Sequence, residues 1–310
     1  MSKINLVCAS DNNFIQHCII MLVSFCKLHN GSNIFILTEG LSKESINLLD
    51  IELEAYNCSL NIVCVDDNLI TNLPMPKDLM LSHISVATYY RLFLATLLPD
   101  SISKVLYLDC DIIVKTDLNK LYTTDLKNYA IAGVTQYTGS DNLLRLGIEE
   151  KYGYFNAGVL LINLSYWRKN NIPHKLNVFI KKNYDKIKYH DQDILNAVLH
   201  KTRLTLNPRY NFLYPFFNRK FVQNIVTTPQ EVDDYKSQIY YGQKTNEIVI
   251  HFTSSPKPWE EKCIHPLRKE YFLTANKTQK FKNISQPSKI TSEYLIFIKK
   301  IKNILSFLKQ

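Results

Sequence analysis

Short apolar runs alternate with stretches of helical spacing along the first 115 residues. Ile4–Ala9, Ile34–Thr38, Leu60–Val65 and Lys104–Leu108 predict buried strands. Phe14–Leu28, Lys43–Glu54 behind Ser42, and Ser85–Leu98 before Pro99 predict helices between them. Strands apolar on both faces, alternating with helices, specify an α/β domain: a mostly parallel sheet covered on both sides. After Val114 the spacing loosens. Ala130–Thr135, Gly158–Asn163 and Ile248–Phe252 read as further strands, and Gln192–His200 as a helix capped by Asp191. The loops between them are long and rich in Tyr, Phe, Asn and Pro, notably 207–218. Such loops build binding sites or pack on themselves.

The last segment has a different pattern. Residues 276–293 read as a polar linker. In Tyr294–Gln310, Phe297, Ile301, Ile304, Leu305 and Leu308 share one helical face, with lysines towards the other. The expected division is therefore a catalytic domain over 1–275 and a basic amphipathic tail over 276–310. The net charge of +9 is concentrated there: eight lysines face one acid, Glu293, within 277–310, which leaves +2 for the rest. A nearly neutral body argues against nucleic acid as a partner. The basic tail suits an anionic membrane surface or docks on its own domain. No apolar run reaches the roughly 18 residues of a spanning helix, and no secretory signal is visible. The expected location is cytoplasmic, peripheral on the inner face of the membrane. Seven cysteines without a CxxC pair are expected to be reduced thiols.

Candidate chemistry begins at Asp109-Cys110-Asp111. An apolar strand delivers two carboxylates at its C-terminal end, where open α/β sheets bind ligands. Paired carboxylates there favour a hard divalent cation, Mn²⁺ or Mg²⁺. An aspartyl-phosphate phosphatase is the competing reading of this motif, but it places its acids after the first strand. His251 ends a later strand and could join the two acids, which tilts the choice towards Mn²⁺; it could equally be a strand-end histidine of the core. Lys257, ahead of Pro258-Trp259, is a cation suited to phosphate. His190-Asp191-Gln192-Asp193 opens a helix facing the same cleft.

Six segments in order resemble glycosyltransferase family 8, the retaining GT-A sugar-nucleotide transferases, with the nearest likeness to bacterial lipooligosaccharide α-galactosyl- and glucosyltransferases. They are Ala9-Ser-Asp11-Asn-Asn13, Ala87-Thr-Tyr-Tyr-Arg91-Leu, Leu106-Tyr-Leu-Asp109-Cys110-Asp111, Phe155-Asn156-Ala157-Gly158-Val, Asp191-Gln192-Asp193 and His251 with Lys257-Pro-Trp259. The resemblance implies a GT-A fold and a UDP-galactose or UDP-glucose donor. It implies that Asp109, Asp111 and His251 bind Mn²⁺ and that Lys257 neutralises the diphosphate. It places uracil and ribose at Ala9, Asp11 and Asn13, and the donor sugar among Arg91, Asn156, Ala157, Asp191 and Gln192. Cys110 lies within the cation loop. The family's glycine three residues past the metal histidine is Ser254 here, which implies an altered fit to phosphate. The acceptor is expected to be a glycan or glycolipid. Retention is expected by same-face attack, with Arg91, Asp191, Gln192 and Asp193 around the reacting carbon; double displacement through Asp193 is the alternative. A sugar nucleotidyltransferase would need a glycine-rich basic loop, which Ser10-Asp11-Asn12-Asn13 is not. A catalytically inactive UDP-sugar or membrane-binding protein is the remaining alternative.

Overall fold

A computed structural model describes residues 3–69, 86–136, 138–214, 244–253 and 255–284, with Leu73, Ser237 and Ile239. The chain runs β1 (Asn5–Ala9), α1 (Ile15–Cys26), β2 (Asn33–Thr38), α2 (Lys43–Leu53) and β3 (Ser59–Cys64). It continues through α3 (Leu94–Leu97), β4 (Lys104–Leu108), β5 (Ile112–Val114), α4 (Asn119–Tyr122), β6 (Ile131–Gln136), α5 (Ser140–Leu146) and β7 (Tyr154–Asn163). Then come α6 (Leu164–Lys169), α7 (Ile172–Lys182), α8 (His190–Leu199), β8 (Arg203–Thr205), β9 (Phe212–Leu213), β10 (Val249–His251) and α9 (Arg268–Ala275).

Seven strands form one sheet in the order β3-β2-β1-β4-β7-β6-β8. All neighbours are parallel except β7, which runs antiparallel to β4 and β6. The expected α/β architecture with a mostly parallel sheet is therefore present. Both faces are apolar: Leu6, Ile34, Leu106 and Leu161 face one layer, and Val7, Phe35, Tyr107 and Leu160 the other. This period-two alternation between two buried layers produces the unbroken apolar runs seen in the sequence. A second sheet, β5-β10-β9, carries the cation loop on one strand and the histidine on its neighbour: Ile112 pairs with His251. Helix α1 is buried at ten of twelve positions because it packs against β5, α2 and α9 as well as the core of the main sheet.

Three expectations change. The segment expected as a helix over 85–98 is a 3₁₀-type helix over Val86–Phe93 followed by α3. Arg91 Nε–H donates to its own Thr88 carbonyl at 3.0 Å, taking an acceptor that an α-helix would use. Helix α8 starts at His190 with Tyr189 as its cap residue, so Asp191 is not the cap. Asp193, inside the first turn, instead ties down the chain before the helix, its Oδ2 accepting the Lys188 and Tyr189 amides at 2.8 Å each. The expected linker begins later than 276, because Glu52 holds the amides of Gln279 and Lys280 at 2.8 and 2.7 Å. Phe281 and Ile284 also pack on the core. The rest of the tail, including Tyr294–Gln310, lies outside the described residues. Among those described, no helix is long and apolar enough to cross a membrane.

Candidate active site

Between β4 and β5 the chain turns through Asp109, Cys110 and Asp111. Asp109, Asp111 and His251 converge, with their ligand atoms within 4.8 Å of one another. His251 Nε2 lies 3.1 Å from Asp111 Oδ1 and 3.7 Å from Asp109 Oδ2. His251 Nδ1 faces Asn211 Oδ1 at 2.9 Å, and Asn211 Nδ2 donates to Asn156 Oδ1 at 2.8 Å. That chain orients the Asn211 amide and places the imidazole proton on Nδ1, so Nε2 presents a lone pair to both carboxylates. Asp111 Oδ1 is buried and has no hydrogen-bond donor. A lone pair facing anionic oxygens, one of them unsatisfied, is unfavourable unless a cation joins them. Carboxylates with one imidazole suit Mn²⁺ or Mg²⁺, so these residues fit the implied ion. Gly158 makes the convergence possible. A Cβ there would come within 2.8 Å of Asp109 Oδ2 and closer still to the His251 ring.

Lys257 Nζ is 2.6 Å from Asp111 Oδ2 and donates to the Phe252 carbonyl at 2.7 Å. Burial would push the Asp111 carboxyl up, but the Lys257 ammonium outweighs it and holds it well below the usual carboxylate range. The segment carrying Lys257 is anchored by Trp259, which stacks on His17 at a ring separation of 3.6 Å. His17 bonds the Tyr271 hydroxyl at 2.7 Å. Burial depresses the His17 pKa to about 4, so the stack is of neutral rings at neutral pH.

Arg91 is buried and links this centre to the start of α8. Its Nη2 is 2.7 Å from Asp109 Oδ1, its Nη1 donates to Ala157 O at 2.6 Å, and its Nε lies 3.0 Å from Asp191 Oδ2. The Nε proton goes to the Thr88 carbonyl, so Asp191 Oδ2 has a charge partner but no donor. Asp191 Oδ1 accepts from the Thr88 hydroxyl at 2.7 Å. Burial raises the Asp191 pKa to about 6, with Arg91 and Thr88 opposing the rise. Gln192 Oε1 accepts from the Ala157 amide at 2.9 Å and Asn156 Nδ2 at 3.1 Å, and its Nε2 donates to the Tyr154 hydroxyl at 3.2 Å. Asp193 is the most enclosed of these acids. It has no exposed surface, and its oxygens accept from Arg145, Tyr154, Lys188 and Tyr189. It positions the helix start.

At the head of β1, Ala9 is half-buried and its carbonyl accepts from the Cys110 thiol at 3.2 Å. Cys110 is thereby directed away from the acids, against Cys8 and Cys18. Asp11 Oδ1 takes the amides of Asn13 and Phe14 at 2.9 Å, capping the approach to α1, and Asn13 is exposed. Ser254 lies outside the described residues. The sequence did not single out Asn211, or Gln136, whose Oε1 accepts from Asn156 Nδ2 at 2.9 Å, and it gave no role to Thr88 or Tyr154. Asn211 lies in the aromatic loop, but nothing in composition separates it from Asn207 or Asn218.

A sequence profile of Glycosyl transferase family 8 matches residues 5–263. General stress protein A of Bacillus subtilis is 28% identical over 290 residues, covering 92% of this chain and 96% of that protein. A lipopolysaccharide 1,2-glucosyltransferase of Escherichia coli is 31% identical over 263 residues, covering 81% and 71%. The crystal structure of the galactosyltransferase LgtC, in complex with donor and acceptor sugar analogues, superposes with a TM-score of 0.78 at 25% identity, covering 89% of this chain and 97% of that one. Profile, relatives and GT-A fold agree with the order of motifs around Asp109, Asp191 and His251, and the chain belongs to glycosyltransferase family 8.

Proposed function

We propose that the protein is a divalent-metal-dependent, retaining hexosyltransferase. It moves galactose or glucose from a UDP-sugar to a glycan acceptor of the lipopolysaccharide or lipooligosaccharide kind. The observation that carries this reading is the buried, donorless Asp111 Oδ1 beside the His251 Nε2 lone pair. Asp109, Asp111 and His251 would hold Mn²⁺, with Mg²⁺ as the substitute. Bound there, the ion supplies Lewis-acid stabilisation of a departing diphosphate. The printed names of the glucosyltransferase and galactosyltransferase relatives support the hexose class.

The chain's own residues divide the remaining work. Lys257 adds a second cation for the phosphates. Ala9, Asp11 and Asn13 border the nucleoside end. Asp191 Oδ2, buried and without a donor, is ready to accept a sugar hydroxyl. Arg91 keeps Asp109 and Asp191 in one register. Gln192 is a neutral amide pinned at both ends. That favours attack by the acceptor on the face from which UDP leaves, the leaving phosphate taking the acceptor's proton. The enclosed Asp193 does not favour double displacement. In the same reading, the lysines of 277–310 bring the enzyme to an anionic membrane surface on the cytoplasmic side.

UDP release is the test, measured with UDP-glucose, UDP-galactose and UDP-N-acetylglucosamine, each with Mn²⁺ and with chelator. Release from one hexose donor, abolished by chelator, is expected. Tight Mn²⁺-dependent UDP binding without turnover, even with lipooligosaccharide acceptors, would favour an inactive binding protein instead.

A further inference from the structure

Five of the seven thiols form close pairs or stand exposed in ways the transferase reading does not use. Cys8 and Cys18 are 3.7 Å apart but fully buried. Cys64 is exposed at the end of β3. Cys58 combines both properties. It is half-buried, its Sγ is 3.6 Å from the Sγ of buried Cys26, and it lines a cavity of about 400 Å³.

We propose that Cys58 is a peroxide-reactive thiol and Cys26 its resolving partner, so that a small neutral hydroperoxide converts the pair to a disulfide. The cavity is walled by Ile51, Leu53 and Leu60, with Asp50 and Glu54 as its acids. Apolar walls admit a small neutral molecule, and the two acids repel anionic oxidants. The Cys58 thiol donates to Cys26 Sγ and to the Tyr56 carbonyl at 3.5 Å; once it ionises, the Cys26 thiol and the Ser32 and Gly31 amides stabilise the thiolate and, against burial, lower the Cys58 pKa to about 6. In the first step the Cys58 thiolate attacks one peroxide oxygen. An S–O bond forms, the O–O bond breaks, and the departing alkoxide takes a proton to leave as alcohol. In the second step the Cys26 sulfur attacks the sulfenic sulfur. The S–S bond forms, the S–O bond breaks, and hydroxide leaves with the Cys26 proton as water. Two thiols are oxidised by two electrons and one peroxide is reduced. The bond ties the last residue of α1 to the residue before β3.

The test treats reduced full-length protein with hydrogen peroxide, blocks remaining thiols by alkylation and maps peptides without reduction. The expected first product is a Cys26–Cys58 cross-link, with the loss of two alkylatable thiols. Cys58→Ser should remove that loss, and Cys26→Ser should leave a sulfenic acid at Cys58 that dimedone traps. A first product at Cys64, or a Cys8–Cys18 cross-link ahead of Cys26–Cys58, would overturn the proposal. So would a Cys58 oxidised no faster than Cys64. Mapping of the unaltered protein decides the matter even if a variant fails to fold.

Discussion

Asp109-Cys110-Asp111 and Asp191-Gln192-Asp193 space their carboxylates identically, and Arg91 touches the first acid of each. Each triplet also leaves one buried oxygen without a donor, Asp111 Oδ1 in the first and Asp191 Oδ2 in the second. What surrounds those oxygens differs. Asp111 Oδ1 faces the lone pair of an imidazole and a second carboxylate, an excess of electron pairs that calls for a cation. Asp191 Oδ2 already has the Arg91 charge beside it and lacks only a hydrogen, so a sugar hydroxyl suffices. The fourth acid, Asp193, lacks neither. In the proposed reading, equal spacing therefore yields a metal ligand, a hydroxyl acceptor and a structural tie, and the neighbours of each oxygen decide which.

Substitutions should separate these roles. Asp111→Asn should have the largest effect. It should lower turnover by on the order of 10³-fold or more, since metal stabilisation of developing charge amounts to several kcal/mol. Steady-state UDP release at saturating Mn²⁺ checks this, and near-normal turnover would break the contrast. Asp193→Asn should instead lower stability, by roughly 3 kcal/mol, because it removes a buried charge from Arg145 and three other donors. Denaturant melts read that loss, and the surviving folded protein should keep its metal dependence.

Asn211→Ala should act on the cation site at one remove. Without its acceptor the His251 ring loses its fixed tautomer, and Mn²⁺ affinity should fall about 10–100-fold. Titration of Mn²⁺ in the presence of UDP measures it; unchanged affinity would mean that the ring is held by packing alone.

The smallest effect should be on pH dependence. The Asp191 pKa rises from 3.8 to about 6 on folding. Between those values the native state binds a proton that the unfolded chain does not, so this group's contribution to stability declines as pH rises through the window. Asp191→Asn should flatten that slope in melts taken across pH 4 to 6.

The strands and the first acid triplet were legible because both depend on local pattern. An apolar run ending in two acids says where the chain leaves the core, and His251 and Lys257 follow a strand in the same way. The boundaries that shifted were set by distant partners. Within 86–93 Arg91 bonds the Thr88 carbonyl while it serves Asp109 and Asp191. Glu52, more than 220 residues away in sequence, captures Gln279 and Lys280 and delays the start of the tail. Asn211 was invisible for the same reason: its importance lies in a contact with His251, and its own surroundings in sequence resemble those of any loop asparagine. Asp191 and Asp193 were recognised as a pair, but only three-dimensional partners distinguish the one with a spare oxygen from the one without.

The central claim is that Asp109, Asp111 and His251 form a cation site while Asp191 and Asp193 do not. Electron paramagnetic resonance of Mn²⁺ titrated into protein with UDP tests it most directly, comparing the unaltered chain with Asp111→Asn and Asp193→Asn. We expect one bound ion in the unaltered chain and in folded Asp193→Asn, and none in Asp111→Asn at the same concentrations. Undiminished binding by Asp111→Asn, or its selective loss in Asp193→Asn, would contradict the account.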